Sequence, residues 1–374
     1  MKILQYGRYY PPTRGGIETV MSGIANGLTE RGFICDVLCS NTKPRYEEEF
    51  LNNVYVRRTK SYGELFSVSI TPQLIHKFGE IASDYDIIHV HHPDPVAALG
   101  IFLHRPKARV IVHWHSDIVK QWIGLFFYKP IQNWLLRRSN LIICTSTNYI
   151  SGSKHLTRFK EKTVAVPIGI TSPNPVGKNF ISDVKKRYAN RFIVFSVGRF
   201  VYYKGFEYLI RSSQYLDDSF VIIIGGDGPL LKQCRELIGK AGLGHKVKLI
   251  GRLSSDELAA HYEACDIFCL PSVVKSEAFG IVMVEAMAYG KPIVSTKIEG
   301  SGVDWVNQNE MTGLTVNRKD PKELANAFIK LRNNKELRIE FGNSARSRFH
   351  NNFTISVMVD SIITHYNQVL AKRN

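Results

Sequence analysis

The chain has 374 residues, 44% of them hydrophobic and 22% charged, with 28 glycines and 15 prolines. That length suits two domains better than one core, and the near-average composition excludes collagenous, disordered and low-complexity classes. Lysine and arginine outnumber aspartate and glutamate 49 to 33, a net charge of +16, which points to anionic partners: phosphates, nucleic acid or an anionic membrane surface.

Taken in chain order, apolar strand-like runs alternate with helical patterns. The first half reads as strands at Lys2–Tyr6, Cys35–Leu38, Ile87–His91, Val110–Trp114, Leu141–Thr145 and Thr163–Pro167. The first helix is expected from Glu18, with Ile17, Val20, Ile24 and Leu28 at helical spacing and Gly32 as its stop. A Pro- and Gly-rich stretch, Pro167–Lys178, then reads as a linker. The series restarts with strands at Phe192–Val197, Phe220–Ile224, Lys246–Ile250, Ile267–Leu270, Ile293–Ser295 and Thr312–Val316, and from Pro321 onward it is helical only. Such alternation predicts parallel sheets built from right-handed βαβ units. The expected architecture is two doubly wound domains, 1–170 and 171–355, facing across a cleft, with a C-terminal helix near 356–374 returning to the first.

The opening MKILQYGRYYPP reads as a strand and loop rather than a signal peptide. No apolar run reaches the roughly 18 residues of a membrane span. Six cysteines without a CxxC pair read as buried free thiols of a reducing cytoplasm.

Three glycine-containing loops follow strands. Gly15 and Gly16 stand where a strand leads into a helix, so they either admit an anion to the helix start or simply make the turn. Arg199 and Lys204, in Gly198-Arg199-Phe200-Val201-Tyr202-Tyr203-Lys204-Gly205, put two cations beyond a strand's carboxyl end, where they can clamp a phosphate or stay solvated. Gly225-Gly226-Asp227-Gly228-Pro229 is neither a dinucleotide fingerprint nor a P-loop, because no third glycine and no GK[ST] follow. The most specific stretch runs from Ser276 to Ala288. Gly280 opens a helix there, Glu277 precedes it, and Glu285 lies within an otherwise apolar turn. A carboxylate so placed needs hydrogen-bond donors, such as ligand hydroxyls.

Glu277-x7-Glu285, with the upstream glycine loop and the Arg199-x4-Lys204 pair, resembles the retaining glycosyltransferases of family 4, over essentially the whole chain. The resemblance implies the GT-B fold of two Rossmann-like domains and transfer of a hexose from a nucleoside diphosphate sugar with retained configuration. It implies no metal and no cofactor beyond that donor. Gly15 and Gly16 would approach the diphosphate, and Arg199 and Lys204 would neutralise it. Glu277 would accept hydrogen bonds from the donor sugar and Glu285 from the ribose. Backbone N–H groups near Phe279, Gly280 and Ile281 would contact sugar and phosphates, Gly226 would line the same site, and Gly251-Arg252-Leu253 would cradle the base. His115, in Trp114-His115-Ser116-Asp117, would lie near the anomeric carbon. Some relatives carry a second basic residue where this chain has Tyr203, so the phosphate charge would rest on Arg199 and Lys204. The Arg199–Gly205 and Lys297–Gly302 stretches look most like mannosyltransferases of bacterial O-polysaccharide assembly, which use GDP-mannose; UDP-glucose, UDP-galactose and UDP-GlcNAc enzymes share every motif.

His89, His91, His92 and His113 show metal-ligand spacing on strands but read as strand-end packing. Asp84-Tyr85-Asp86 spells a metal-binding DxD, yet it precedes its strand and reads as surface charge. Lys120 to Arg138 mixes Trp122, Phe126, Phe127 and Trp134 with Lys129, Arg137 and Arg138. It is expected either to dock on an anionic membrane and present a lipid-linked saccharide acceptor, or to pack beside the cleft. The protein would then work at the inner face of the cytoplasmic membrane. A sugar-nucleotide epimerase of the same fold is the competing enzyme class, whereas no helix-turn-helix, RRM or zinc signature supports a nucleic-acid partner.

Overall fold

Strands buried on both faces must be covered by helices on both sides, and the sequence supplies such strands twice. The computed structural model describes residues 1–13, 15–65, 68–118, 122–173, 175 and 177–372, with the backbone alone for 122–127 and 178. It comprises two compact units, Met1–Thr171 with Thr354–Asn374, and Ser172–Phe353.

In the first unit the strands are β1 (Lys2–Tyr6), β2 (Ile34–Ser40), β3 (Glu47–Leu51), β4 (Val54–Thr59), β5 (Glu64–Leu65), β6 (Val68–Ser69), β7 (Ile87–His92), β8 (Arg109–Trp114), β9 (Leu141–Cys144) and β10 (Thr163–Ala165). Eight of them make one sheet in the order β10-β9-β8-β7-β1-β2-β4-β3. Its pairs are parallel except β3 on β4, and β5 with β6 forms a separate antiparallel hairpin. The second unit holds β11 (Phe192–Val197), β12 (Phe220–Gly225), β13 (Val247–Gly251), β14 (Ile267–Leu270), β15 (Ile293–Thr296) and β16 (Gly313–Val316). They are all parallel, in the order β13-β12-β11-β14-β15-β16. Val221 to Ile224 of β12 are completely buried, as their unbroken apolar run requires.

Each sheet therefore reverses direction beside its first strand. In the second unit the chain winds outward from β11 through β12 and β13, then returns to place β14 on the other side of β11. In the first unit it winds from β1 to β2, β4 and β3, and returns as β7. Loops leaving the two strands at such a switch point diverge and leave a crevice at their carboxyl ends.

The helix Gly16–Thr29 begins two residues before the expected Glu18 and buries Val20, Met21, Ile24, Ala25 and Leu28. The last helix, Ile355–Ala371, packs on it as part of the first unit. A side chain at Gly27 would come within 2.7 Å of Val359, so glycine permits that close helix contact. Arg31 Nε donates to Asp360 across the pair at 2.7 Å. The β3–β4 ladder and the β5–β6 hairpin were not expected. Glu47-Glu48-Glu49 looks like a solvated run, and pairing opposite Arg57 and Arg58 is what makes it an edge strand. All six cysteines are free and buried.

Candidate active site

Lys204 follows β11 and Glu277 follows β14, so the reversal of strand order brings two residues 73 apart in sequence into contact. Lys204 Nζ donates to Glu277 Oε2 at 2.6 Å, and each residue is only 7% exposed. Ser272 Oγ donates to the same oxygen at 2.9 Å. Oε1 has no hydrogen-bond partner among the described residues and stays available to a ligand hydroxyl. Burial pushes the Lys204 ammonium down, but the Glu277 carboxylate and the Tyr203 phenol outweigh it and hold its pKa above the usual range. Gly205 turns the chain in the left-handed region (φ +65°), where a side chain would lie 2.1 Å from the Pro271 carbonyl oxygen. That close approach of the two loops sets the lysine against the glutamate.

Around this pair the other expected residues fall on loops of the same sheet edge. Arg199 is exposed, and its guanidinium makes no hydrogen bond or ion pair among the described residues. Gly226 (φ +126°) follows β12 and lies so near the Gly198 carbonyl that any side chain would collide with it. Arg252 pairs with Asp227 at 3.2 Å on the surface, and Leu253 covers Gly225. Gly280 adopts the left-handed conformation (φ +84°) just before the helix Ile281–Ala288. The N–H groups of Phe279, Gly280 and Ile281 donate to nothing among the described residues, which is the anion-accepting condition of a helix start. Within that helix Glu285 accepts from Tyr262 Oη at 2.6 Å. Burial raises its pKa, while Tyr262 and Lys204 lower it.

In the first unit Gly15 directly precedes the helix Gly16–Thr29 with extended backbone, and a side chain there would run into the Glu18 carboxyl. His115 follows β8, is 7% exposed, and lies in a group of four imidazoles with His89, His91 and His113. Burial pushes all four below the usual imidazole range, His113 to about 3, so the group is uncharged at neutral pH. His92 points to the other face and stacks on Trp114 at 3.8 Å. Asp84 and Asp86 lie exposed at the amino end of β7, away from the carboxyl edge, where Asp86 accepts from the Lys2 backbone N–H at 2.7 Å.

The helix Trp122–Arg138 contains most of the expected membrane segment. Lys120 and the side chains of Trp122, Phe126 and Phe127 lie outside the described residues. Trp134 packs edge-on against Phe102 at 4.9 Å, and Arg138 donates to the Pro106 carbonyl at 2.7 Å. These two residues serve the fold, while Lys129 and Arg137 are exposed. Among the described residues no helix is long and apolar enough to cross a membrane.

Sequence reasoning missed Ser272 and Tyr262, which hold the two glutamates, and Gln5 and Tyr366, which hold the histidines. Gln5 had a signal, being the one polar residue inside the run Ile3–Tyr6.

The geometry agrees with comparisons against known proteins. The family model for glycosyltransferase family 4 matches residues 14–171, and that for glycosyl transferases group 1 matches 177–348. O-antigen chain mannosyltransferase C of Escherichia coli is 30% identical over the whole of both chains. The D-rhamnosyltransferase WbpZ of Pseudomonas aeruginosa is 29% identical, covering 95% of this chain and 92% of its own. Among solved structures, Anabaena HepE in complex with UDP has a TM-score of 0.77 at 21% identity, over 98% of this chain and all of its own. The chain belongs to the family 4 glycosyltransferases and has their GT-B fold.

Proposed function

We propose that this glycosyltransferase moves mannose from GDP-mannose, with retention, to a hydroxyl of a lipid-linked saccharide during assembly of a bacterial surface polysaccharide. One observation carries the donor-site reading: among the described residues Glu277 has a carboxylate oxygen without a partner, and the N–H groups of Phe279, Gly280 and Ile281 that follow it in the same loop have none either. An acceptor for sugar hydroxyls thus adjoins donors for an anion. The names of the Escherichia coli and Pseudomonas aeruginosa relatives support a polysaccharide role and a mannose-like sugar.

In this reading Arg199 and Lys204 of the second unit meet the diphosphate and stabilise the charge that develops as it leaves, and the helix start at Gly15–Gly16 is the first unit's candidate for an anion. Glu277 is already held by Lys204 and Ser272, so it binds hydroxyls rather than attacking carbon. The acceptor hydroxyl approaches on the face the diphosphate leaves, the new C–O bond forms as the old one breaks, and the hydroxyl proton passes to the departing phosphate oxygen. His115 positions the sugar, Glu285 binds the ribose, and Gly226, Arg252 and Leu253 border the base. The working place is the cytoplasmic face of the membrane, approached through Lys129, Arg137 and the aromatic turn before them. Nothing in this scheme needs a metal, so transfer should survive excess EDTA.

Calorimetric titration with GDP and with UDP tests the donor, and GDP should bind at least tenfold tighter, about 1.4 kcal/mol. Tighter UDP binding would establish the second reading, a UDP-sugar donor, which the UDP complex of HepE favours. Conversion of the donor into an epimeric sugar nucleotide without acceptor would instead indicate an epimerase. NMR of the product, reading the one-bond carbon–proton coupling at the anomeric centre, decides retention. Sedimentation with phosphatidylglycerol vesicles at low and high salt tests the membrane contact.

A further inference from the structure

The four imidazoles of the first unit are ordered in two hydrogen-bonded layers. In the first, His91 Nε2 meets Gln5 Oε1 at 2.8 Å and His91 Nδ1 meets His115 Nε2 at 2.9 Å. In the second, His89 Nδ1 meets the Tyr366 hydroxyl at 2.5 Å and His89 Nε2 meets His113 Nδ1 at 3.2 Å. The layers stack: His113 lies 4.3 Å from His115, with their planes 3° apart, and His89 lies 4.9 Å from His91. The strands dictate this. His89 and His91 share a face of β7, His113 and His115 continue the matching face of β8, and His91 is in register with His113.

A glutamine oxygen can only accept, so His91 must carry its proton on Nε2. Its Nδ1 is then a lone pair, and His115 must carry its proton on Nε2 to meet it. We propose that His91, itself oriented by Gln5, is a positioning residue that fixes His115 as the Nε2–H tautomer and leaves His115 Nδ1 to accept a hydroxyl of the donor sugar. Nδ1 has no hydrogen-bond partner among the described residues. The second layer, anchored by Tyr366 of the last helix, fixes the plane of the rings. Burial keeps them neutral, so the tautomer is the variable that remains.

A metal is the competing occupant, because the ligand atoms of His91, His113 and His115 lie within 4.8 Å of one another. But His91 Nδ1 and His115 Nε2 point at each other across 2.9 Å, a separation that holds a proton. The near-parallel rings also aim their lone pairs along parallel planes, whereas a tetrahedral ion needs them to converge.

The proposal rests on the reading that His115 meets the donor sugar, and the test separates the two. Two-bond proton–nitrogen NMR of the full chain labelled with [15N]histidine, assigned with His115→Gln, should show Nε2–H for both His91 and His115. Gln5→Leu should let Nδ1–H appear on His115 and lower kcat about tenfold, the worth of one hydrogen bond, with donor KM little changed. Gln5→Glu, which still accepts, should recover kcat. His91→Phe should fall at least as far, and His91→Asn, whose amide can accept near the lost Nδ1, should recover in part. Nδ1–H on wild-type His115, Gln5→Glu no better than Gln5→Leu, or stoichiometric zinc uptake abolished by His91→Phe would each overturn the proposal. Full transfer by His115→Ala would remove His115 from the site while leaving the tautomer result standing.

Discussion

At the reversal point of its sheet, each unit concentrates polar side chains, and the two do so with opposite electrostatics. The second unit buries a lysine against a glutamate. The first buries a group of imidazoles held by Gln5 and Tyr366, with no carboxylate among the hydrogen bonds of the group. The difference follows from what each group can do when water is removed. An imidazole sheds its proton near neutral pH and becomes a neutral donor and acceptor, whereas lysine and glutamate stay charged and must be paired. Neutral imidazoles can exchange hydrogen bonds with hydroxyls without charge, whereas the lysine of a buried pair can also meet an anion.

Acid should break this comparison most visibly. His89, His91, His92, His113 and His115 are all depressed by burial, so folding requires their neutral forms. The unfolded chain takes up protons below about pH 6.5 and the native first unit does not, so their stabilisation is full above that pH and is lost as pH falls. Each such histidine is worth roughly 1 kcal/mol per pH unit, or about 5 kcal/mol for the group between pH 6.5 and 5.5. In the second unit His261 is depressed by burial, against the opposing pull of Glu257, and adds a smaller loss of the same sign. Urea unfolding followed by limited proteolysis, with fragments assigned to each unit, should show the first unit failing first in acid.

Removing one partner of the charged pair comes next. Lys204→Ala leaves Glu277 buried with Ser272 as its remaining donor, and breaking a buried pair costs about 3–5 kcal/mol. The urea midpoint of the second unit should fall and that of the first should not. Transfer should drop by roughly three orders of magnitude if the same lysine also stabilises the leaving group. The smallest effect is expected for Tyr262→Phe. Glu285 would lose its donor, and the nucleotide KM should rise about fivefold, near 1 kcal/mol, with kcat little altered. A change confined to kcat would move Glu285 away from the ribose.

All twelve strands expected from apolar runs are present, because burial on both faces leaves a contiguous signature. The antiparallel pairs left none: β3 reads as three glutamates until its arginine partners on β4 are known, and β5 and β6 are two residues each. The site divided along the same line. Arg199, Lys204, Glu277 and Glu285 were visible because charged residues stand out in apolar or glycine-rich context. Tyr262 and Tyr366 were not, since a tyrosine on a helix shows nothing of where its hydroxyl points. The histidines were visible as a pattern and were read as packing, and only the register of β7 on β8 discloses that they form two ordered layers.

The helix Ile355–Ala371 belongs to the first unit although the whole of Ser172–Phe353 precedes it. On the ribosome, therefore, the second unit emerges complete while the first still lacks a helix, and with it the hydroxyl that anchors its histidines. The half begun first is finished last. Until then the Gly16–Thr29 helix shows the apolar face that Ile355, Met358 and Val359 will cover, and the nascent chain needs protection at that face for as long as some 180 further residues take to be made.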